Sequence, residues 1–245
     1  MIRRHCTLDL SVVGTIYFRL AFLQSRKMNQ RAVIILSGGL DSTTLLYDLI
    51  SQKIEVHAVT FDYGQKHRKE ISCSKRICRK LKVPQKIVDI SVLDDLAPSS
   101  LTCDKWEVPE GNYAEDSMKQ TVVPNRNMVF LSLAASYAIG IGANQLFYAA
   151  HSGDHTIYPD CRPVFVSAMA TAFHLCDWND VILQVPYLYW TKGDIVKRGL
   201  SLGVDYSMTW TCYKGGTLSC GKCGSCDERL AAFREAGTVD PIKYQ

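Results

Sequence analysis

Short unbroken apolar runs alternate along the chain with longer amphipathic stretches. Residues 32–36, AVIIL, read as a strand covered on both faces within a parallel sheet. Thr43 to Leu49 carries apolar residues at helical spacing, which predicts a helix over Ser42–Gln52. The alternation continues with a strand at Glu55–Phe61, a basic amphipathic helix from about Gln65 to Leu81 and a strand at Lys86–Ile90. A small-sided helix from Met128 to about Gly142 follows, then strands at Gln145–Ala149 and Ile182–Val185 with a helix at Val164–Leu175 between them. Trp190-Thr191-Lys192-Gly193-Asp194 opens a helix that reaches Leu202, and a last helix begins near Asp227. Strands separated by helices predict an α/β fold, a doubly wound, mostly parallel sheet with right-handed crossovers. Ligands in such sheets bind beyond the carboxyl ends of the strands.

The turn after the first strand is the most distinctive stretch. Leu36-Ser37-Gly38-Gly39-Leu40-Asp41-Ser42-Thr43-Thr44 joins strand to helix. Two glycines let the backbone curl so that several N–H groups converge, serine and threonine hydroxyls add donors, and the helix adds its positive end. That concavity suits a phosphate or pyrophosphate. It lacks the G-x-x-x-x-G-K-[ST] order of a Walker A loop, and Asp41 brings negative charge where a lysine would be expected. A carboxylate beside phosphates implies Mg²⁺ between them; a plain βα turn with Asp41 as helix cap is the simpler alternative.

Further polar stretches follow the predicted strand ends. Thr60-Phe61-Asp62-Tyr63-Gly64-Gln65-Lys66-His67 is placed to face a nucleotide's sugar and base, or is an ordinary turn. Residues 91–122 form a long polar segment, either a cover over the site or a surface excursion. Asn125-Arg126-Asn127 stands at the mouth of the small-sided helix, where the Arg126 guanidinium suits a carboxylate or phosphate. In the loop from His151 to Arg162, Asp154, Asp160 and Arg162 can donate and accept at a polar substrate. His151 and His155 have metal-pair spacing, but the glycine and proline around them and the missing H-E-x-x-H order argue against a metal. Lys192 is equally open to catalysis and to solvation.

Charge and cysteines narrow the class. The net charge of +4 is concentrated in residues 1–31, which hold six basic side chains against Asp9. The remainder holds 22 basic and 23 acidic side chains, so no strong field for nucleic acid survives. Arg19 interrupts the apolar stretch Val12–Leu23, which is too short and charged for a membrane span. Residues 1–27 are expected to lie outside the fold, with Met28 the true start. Residues 28–204 are expected to form the nucleotide-binding domain, and residues 205–245 a zinc-binding segment packed on it. Six of the ten cysteines are scattered without pairing logic, which fits a reducing cytoplasm better than a disulfide framework.

The other four, Cys212, Cys220, Cys223 and Cys226, have the spacing C-x7-C-x2-C-x2-C. Two x2 steps make one tight knuckle and the longer arm brings in the fourth thiolate. This satisfies tetrahedral Zn²⁺ with no open position, a structural site; an iron–sulfur cluster is the rival.

The order S-G-G-L-D-S-T resembles the pyrophosphate loop of the PP-loop ATPases, which share an adenine-nucleotide α-hydrolase-like fold. Together with F-D-Y-G-Q, V-P-N-R-N, Y-P-D-C-R and the terminal cysteines, from Met28 onward, it closely resembles the 7-cyano-7-deazaguanine synthase (QueC) family of queuosine-precursor biosynthesis. The resemblance implies a C–N-bond-forming ligase acting on 7-carboxy-7-deazaguanine, ATP and ammonia, with no nucleic-acid or membrane partner and a homodimeric assembly. It implies that Leu36 to Thr44 hold the nucleotide and that Asp41, Ser42 and Arg126 are catalytic, with Asp41 placing the Mg²⁺ that accompanies ATP. Asn125, Arg126, Asn127, Tyr158, Asp160 and Arg162 would bind the deazapurine. The alternatives are another adenylating PP-loop enzyme, such as a tRNA thiolase, and a zinc-ribbon binding module without chemistry.

Overall fold

The computed structural model describes residues 31–111 and 116–245, so the reading of residues 1–27 as a non-core extension lies outside them. Five strands form one parallel sheet in the order β3-β2-β1-β4-β5. The elements run β1 (Arg31–Ile35), α1 (Leu40–Ser51), β2 (Glu55–Asp62), α2 (Lys69–Leu81), β3 (Gln85–Asp89) and the short α3 (Val92–Leu96). They continue with α4 (Arg126–Gly140), β4 (Gln145–Phe147), α5 (Pro163–Cys176), β5 (Ile182–Gln184), α6 (Lys192–Ser201) and α7 (Gly224–Glu235). The chain winds outward from β1 to β3, then returns to the other side of β1 for β4 and β5. The winding reverses between β1 and β4, the place where such sheets open a ligand crevice.

The apolar run of β1 is explained by its two covered faces. Ala32, Ile34 and Leu36 join the core beneath α1, α6 and α7, while Val33 and Ile35 join the core beneath α4 and α5. Tyr206, Ala232 and Phe233, from the last forty residues, belong to the first of these cores. Residues 205–245 therefore share the core of the sheet.

Two helix starts differ from the sequence reading for identifiable reasons. Helix α1 starts at Leu40 rather than Ser42, with Gly39 in extended conformation just before it, so Asp41 lies inside the first turn and is not the cap. Helix α2 starts at Lys69 rather than Gln65. The Gln65 side chain takes the Tyr63 N–H (2.8 Å) and donates to the Phe61 carbonyl (3.2 Å), and so replaces the helical partners of this turn. Of the two readings of the segment after β3, a cover over the site or a surface excursion, neither describes it fully: none of its described residues lines the cavity. Leu93, Leu101 and Val108 instead pack with Tyr63, Trp210 and the four clustered cysteines, and Thr121 Oγ1 meets Tyr158 Oη at 2.7 Å. It buttresses the site from behind.

Candidate active site

One cavity opens over the carboxyl ends of β1, β2 and β4 and is closed from the far side by α6 and the segment before α7. At one end stands the glycine turn. Ser42 Oγ accepts from the Ser37 N–H (3.2 Å) and meets Ser37 Oγ at 3.0 Å, and Ser37 Oγ accepts from the Gly39 N–H (3.1 Å). These bonds cross-brace the turn, while the first N–H groups of α1 have no intrahelical partner by the geometry of a helix end. Gly38 has φ +90°, and a Cβ there would lie 2.3 Å from the Glu70 carbonyl oxygen, so only glycine lets α2 approach. The Trp210 N–H donates to the Gly38 carbonyl at 3.0 Å, which ties the turn to the cysteine segment.

Lys192 projects from the start of α6 to the turn. Its Nζ lies 3.4 Å from Asp41 Oδ2 and pairs closely with Glu228 of α7. Burial works against the ammonium charge, but Asp41, Glu228 and Asp154 together outweigh it and hold its pKa above the ordinary lysine range. His151 Nε2 lies 3.5 Å from Asp154 and 3.9 Å from Asp41. His151 Nδ1 accepts the Gly153 N–H (3.1 Å), so a neutral ring carries its proton on Nε2, facing these carboxylates. His151, Asp154 and Glu228 are close enough to surround an ion. The imidazole, however, offers that ion a donor rather than a lone pair. Three carboxylates around one ammonium leave an excess of negative charge beside the turn.

The other end is aromatic. Arg126, at the first position of α4, lies between the rings of Tyr63 and Phe130, 5.6 and 5.8 Å from their centroids. It donates to Tyr63 Oη (3.4 Å) and Asn127 Oδ1 (3.3 Å), and among the described residues it has no ion-pair partner. Tyr158 meets Tyr213 at 3.2 Å across this wall. Burial pushes the Glu70 carboxyl up to about 7, against the Gln65 hydrogen bond and Arg126, which lower it, and with Asp62, which raises it. Burial and Arg126 push His67 down to about 3, so its ring is neutral. By linkage, a carboxyl whose pKa rises on folding contributes stability at acid pH and loses it as pH passes from its unfolded value through about 7. Glu70→Gln is therefore expected to raise the melting temperature at pH 8 relative to pH 4.5; an unchanged pH dependence of melting would contradict this burial.

Of the positions singled out from sequence, Leu36, Ser37, Gly39, Leu40, Asp41, Ser42, Phe61, Tyr63, His67, Arg126, Asn127, Asp154, Tyr158 and Lys192 line the cavity. The other candidate nucleotide and substrate residues do not line it. Gly38 is packed on α2 and Thr43 is buried. Thr44 turns into the core, where its hydroxyl donates to the Leu40 carbonyl and meets Tyr206 Oη at 2.8 Å. Asn125 is exposed with φ 60° at the entry to α4, and Asp160 accepts the Asn127 N–H at 3.2 Å. Arg162 is exposed and clips the carbonyls of His155 (2.7 Å) and Thr156. These residues stand around the glycine turn and the start of α4 rather than in the cavity wall. Glu70, Phe130, Tyr148, Tyr213 and Glu228 were missed, since none stands in a local pattern that sets it apart.

The four C-terminal cysteines lie together, buried, with sulfurs within 4.8 Å of one another. N–H groups of Cys220, Lys222 and Cys223 point at the Cys212 and Cys220 sulfurs at 3.3 to 3.4 Å, so thiolate charge is received by backbone dipoles. This donor set fits a metal ion with no open coordination position.

A doubly wound parallel sheet with a glycine-rich turn at its switch point, and four clustered cysteines that could hold a metal ion, define a PP-loop-like α/β fold. The chain belongs to the QueC family, described as queuosine biosynthesis protein QueC, whose model matches residues 31–237. A 7-cyano-7-deazaguanine synthase of Methanoregula boonei is 74% identical over 215 residues, covering 88% of this chain and 99% of that one. One of the same name from Caldicellulosiruptor saccharolyticus is 61% identical and is covered to 96%. The structure of an NMN synthetase from Francisella tularensis shares the fold, with TM-score 0.53 and 12% identity, over 94% of this chain and 88% of that one. The chain is accordingly an enzyme of the synthase type, and the tRNA-thiolase alternative is not favoured. Such chemistry calls for a cysteine pair at the site, whereas among the described residues the cavity wall carries one thiol, Cys161, raised by burial.

Proposed function

We propose that the chain is a 7-cyano-7-deazaguanine synthase that consumes ATP to turn 7-carboxy-7-deazaguanine and ammonia into the nitrile, a C–N-bond-forming ligase of the cytoplasm. The observation that carries the reading is the pairing within one cavity of a turn shaped to cradle phosphate with a half-buried guanidinium, Arg126, that forms no salt bridge among the described residues. A carboxylate bound at Arg126 would stand across from a nucleotide whose phosphates lie on Ser37–Ser42. Transfer of the adenylyl group to that carboxylate releases pyrophosphate, which the turn and Lys192 hold. Ammonia then displaces AMP to give the amide. A second adenylation on the amide oxygen and loss of AMP give the C≡N bond, so two ATP are used per nitrile. Holding the partners in line supplies on the order of 7–11 kcal/mol of the barrier at best.

Asp41 Oδ1 is buried without a hydrogen-bond partner and fits a cation. Mg²⁺ bound there with ATP would offset phosphate charge. The cysteine knuckle fits structural Zn²⁺. Nothing in the reading calls on a nucleic acid, and no helix among the described residues is long and apolar enough to cross a membrane. A homodimer accounts for Val164, Leu175 and Trp178, which stand exposed on and beside α5. Trp178→Asp should then sediment as a monomer; an unaltered dimer would remove this face from the interface. For the reaction, AMP and pyrophosphate should form only when 7-carboxy-7-deazaguanine is supplied. ADP in their place would refute attack at the α-phosphate.

A further inference from the structure

His67 and Glu70 lie side by side in the wall of the cavity, and the chemistry above uses neither. His67 is 4% exposed and its Nδ1 has no hydrogen-bond partner. His67 Nε2 lies 3.4 Å from Tyr63 Oη and 3.5 Å from Glu70 Oε2. A proton on Nε2 gives that carboxylate a donor, where a lone pair would repel it. Glu70 Oε1 takes one hydrogen bond from Gln65 Nε2 (2.9 Å), while Oε2 has only the His67 ring, 3.5 Å away. A carboxylate with lone pairs to spare thus stands in the cavity wall beside the rings of Tyr63, Phe130 and Tyr213.

A half-buried carboxylate in an aromatic slot accepts N–H groups from the edge of a planar ligand. The six-membered ring of a deazaguanine offers a carbonyl oxygen, a ring N–H and an exocyclic amino group in sequence. An adenine edge offers an amino group beside a ring nitrogen lone pair, which a carboxylate repels. We propose that Glu70 reads the deazaguanine by accepting from its ring N–H and 2-amino group, with His67 as the positioning residue that holds the carboxylate. This rests on the synthase reading above. It assigns the turn after β2, expected from sequence to face the nucleotide's sugar and base, to the other substrate.

The test compares 7-carboxy-7-deazaguanine with its analogue lacking the 2-amino group, in the full-length wild type and in Glu70→Gln. Binding of α,β-methylene-ATP and zinc content are measured in parallel to report on the fold and the nucleotide site. The wild type is expected to favour the amino substrate on the order of 10³-fold or more in kcat/KM, as sites built around a hydrogen bond do. Glu70→Gln should cut that preference to about tenfold or less, mainly through KM, with the affinity for the ATP analogue within about threefold. Retained preference in Glu70→Gln with weakened binding of the ATP analogue would overturn the proposal and give Glu70 to the nucleotide. Wild-type protein that binds the ATP analogue but turns over neither deazapurine would sink the synthase reading, and the subsite with it.

Discussion

Cys223→Ser is expected to yield no soluble, folded protein, and removal of the metal from the wild type should abolish nucleotide binding along with the fold. A structural Zn²⁺ contributes roughly 10–16 kcal/mol of apparent binding energy to folding, whereas a domain's whole stability is about 5–15 kcal/mol. The knuckle also does not stand apart. Cys212, Cys220, Cys223 and Cys226 belong to one buried cluster with Tyr63, Leu101 and Trp210. Trp210 donates its backbone N–H to Gly38 of the phosphate turn and its indole N–H to the Cys212 carbonyl at 2.9 Å. Loss of the metal should thus reach the turn through a single residue. The check is soluble yield, circular dichroism and zinc content of the variant, with binding of an ATP analogue measured after chelation of the wild type. A variant that folds and binds the analogue normally would contradict the structural role.

Asp41→Ala is expected to abolish turnover while zinc stays bound, and Lys192→Ala to lower kcat/KM by about 10³-fold. The second figure follows from removing one preorganised charge from a developing anion in a desolvated site, which costs about 10²–10³ per hydrogen-bond donor. The two residues touch, at 3.4 Å, so the double variant should be little worse than Asp41→Ala alone. Lys192→Ala should also melt at a lower temperature, because it leaves Asp41 and Glu228 facing each other without their shared cation. Steady-state kinetics with thermal melts on all three variants checks these expectations. Independent, additive losses would show that Asp41 and Lys192 do not act as one unit.

The fold was largely legible because β1 is covered on both faces and so reads as an apolar run, and because strand and amphipathic helix patterns alternate after it. The glycine turn was legible for a different reason: Gly38, with φ +90° against the α2 backbone, is a position where sequence has no freedom. What stayed hidden is set by which loops meet. Lys192 could not be separated from a solvated lysine until α6 and α7 brought it between Asp41 and Glu228. Arg162 looked like a pocket residue because it follows a strand end, but its guanidinium is taken up by two carbonyls of its own loop. Glu70 lies on an amphipathic helix where one more charge attracts no notice. Only its burial marks it.

The central claim is that both carboxylate oxygens of the substrate leave on adenylyl groups. It is tested most directly with 7-carboxy-7-deazaguanine carrying ¹⁸O in both carboxylate positions, turned over with unlabelled ATP and ammonia, with mass spectrometry of every phosphorus product. Each nitrile should be accompanied by two AMP, each with one ¹⁸O in its phosphate, and by unlabelled pyrophosphate. Label in inorganic phosphate or pyrophosphate, or label lost to water with unlabelled AMP, would contradict it.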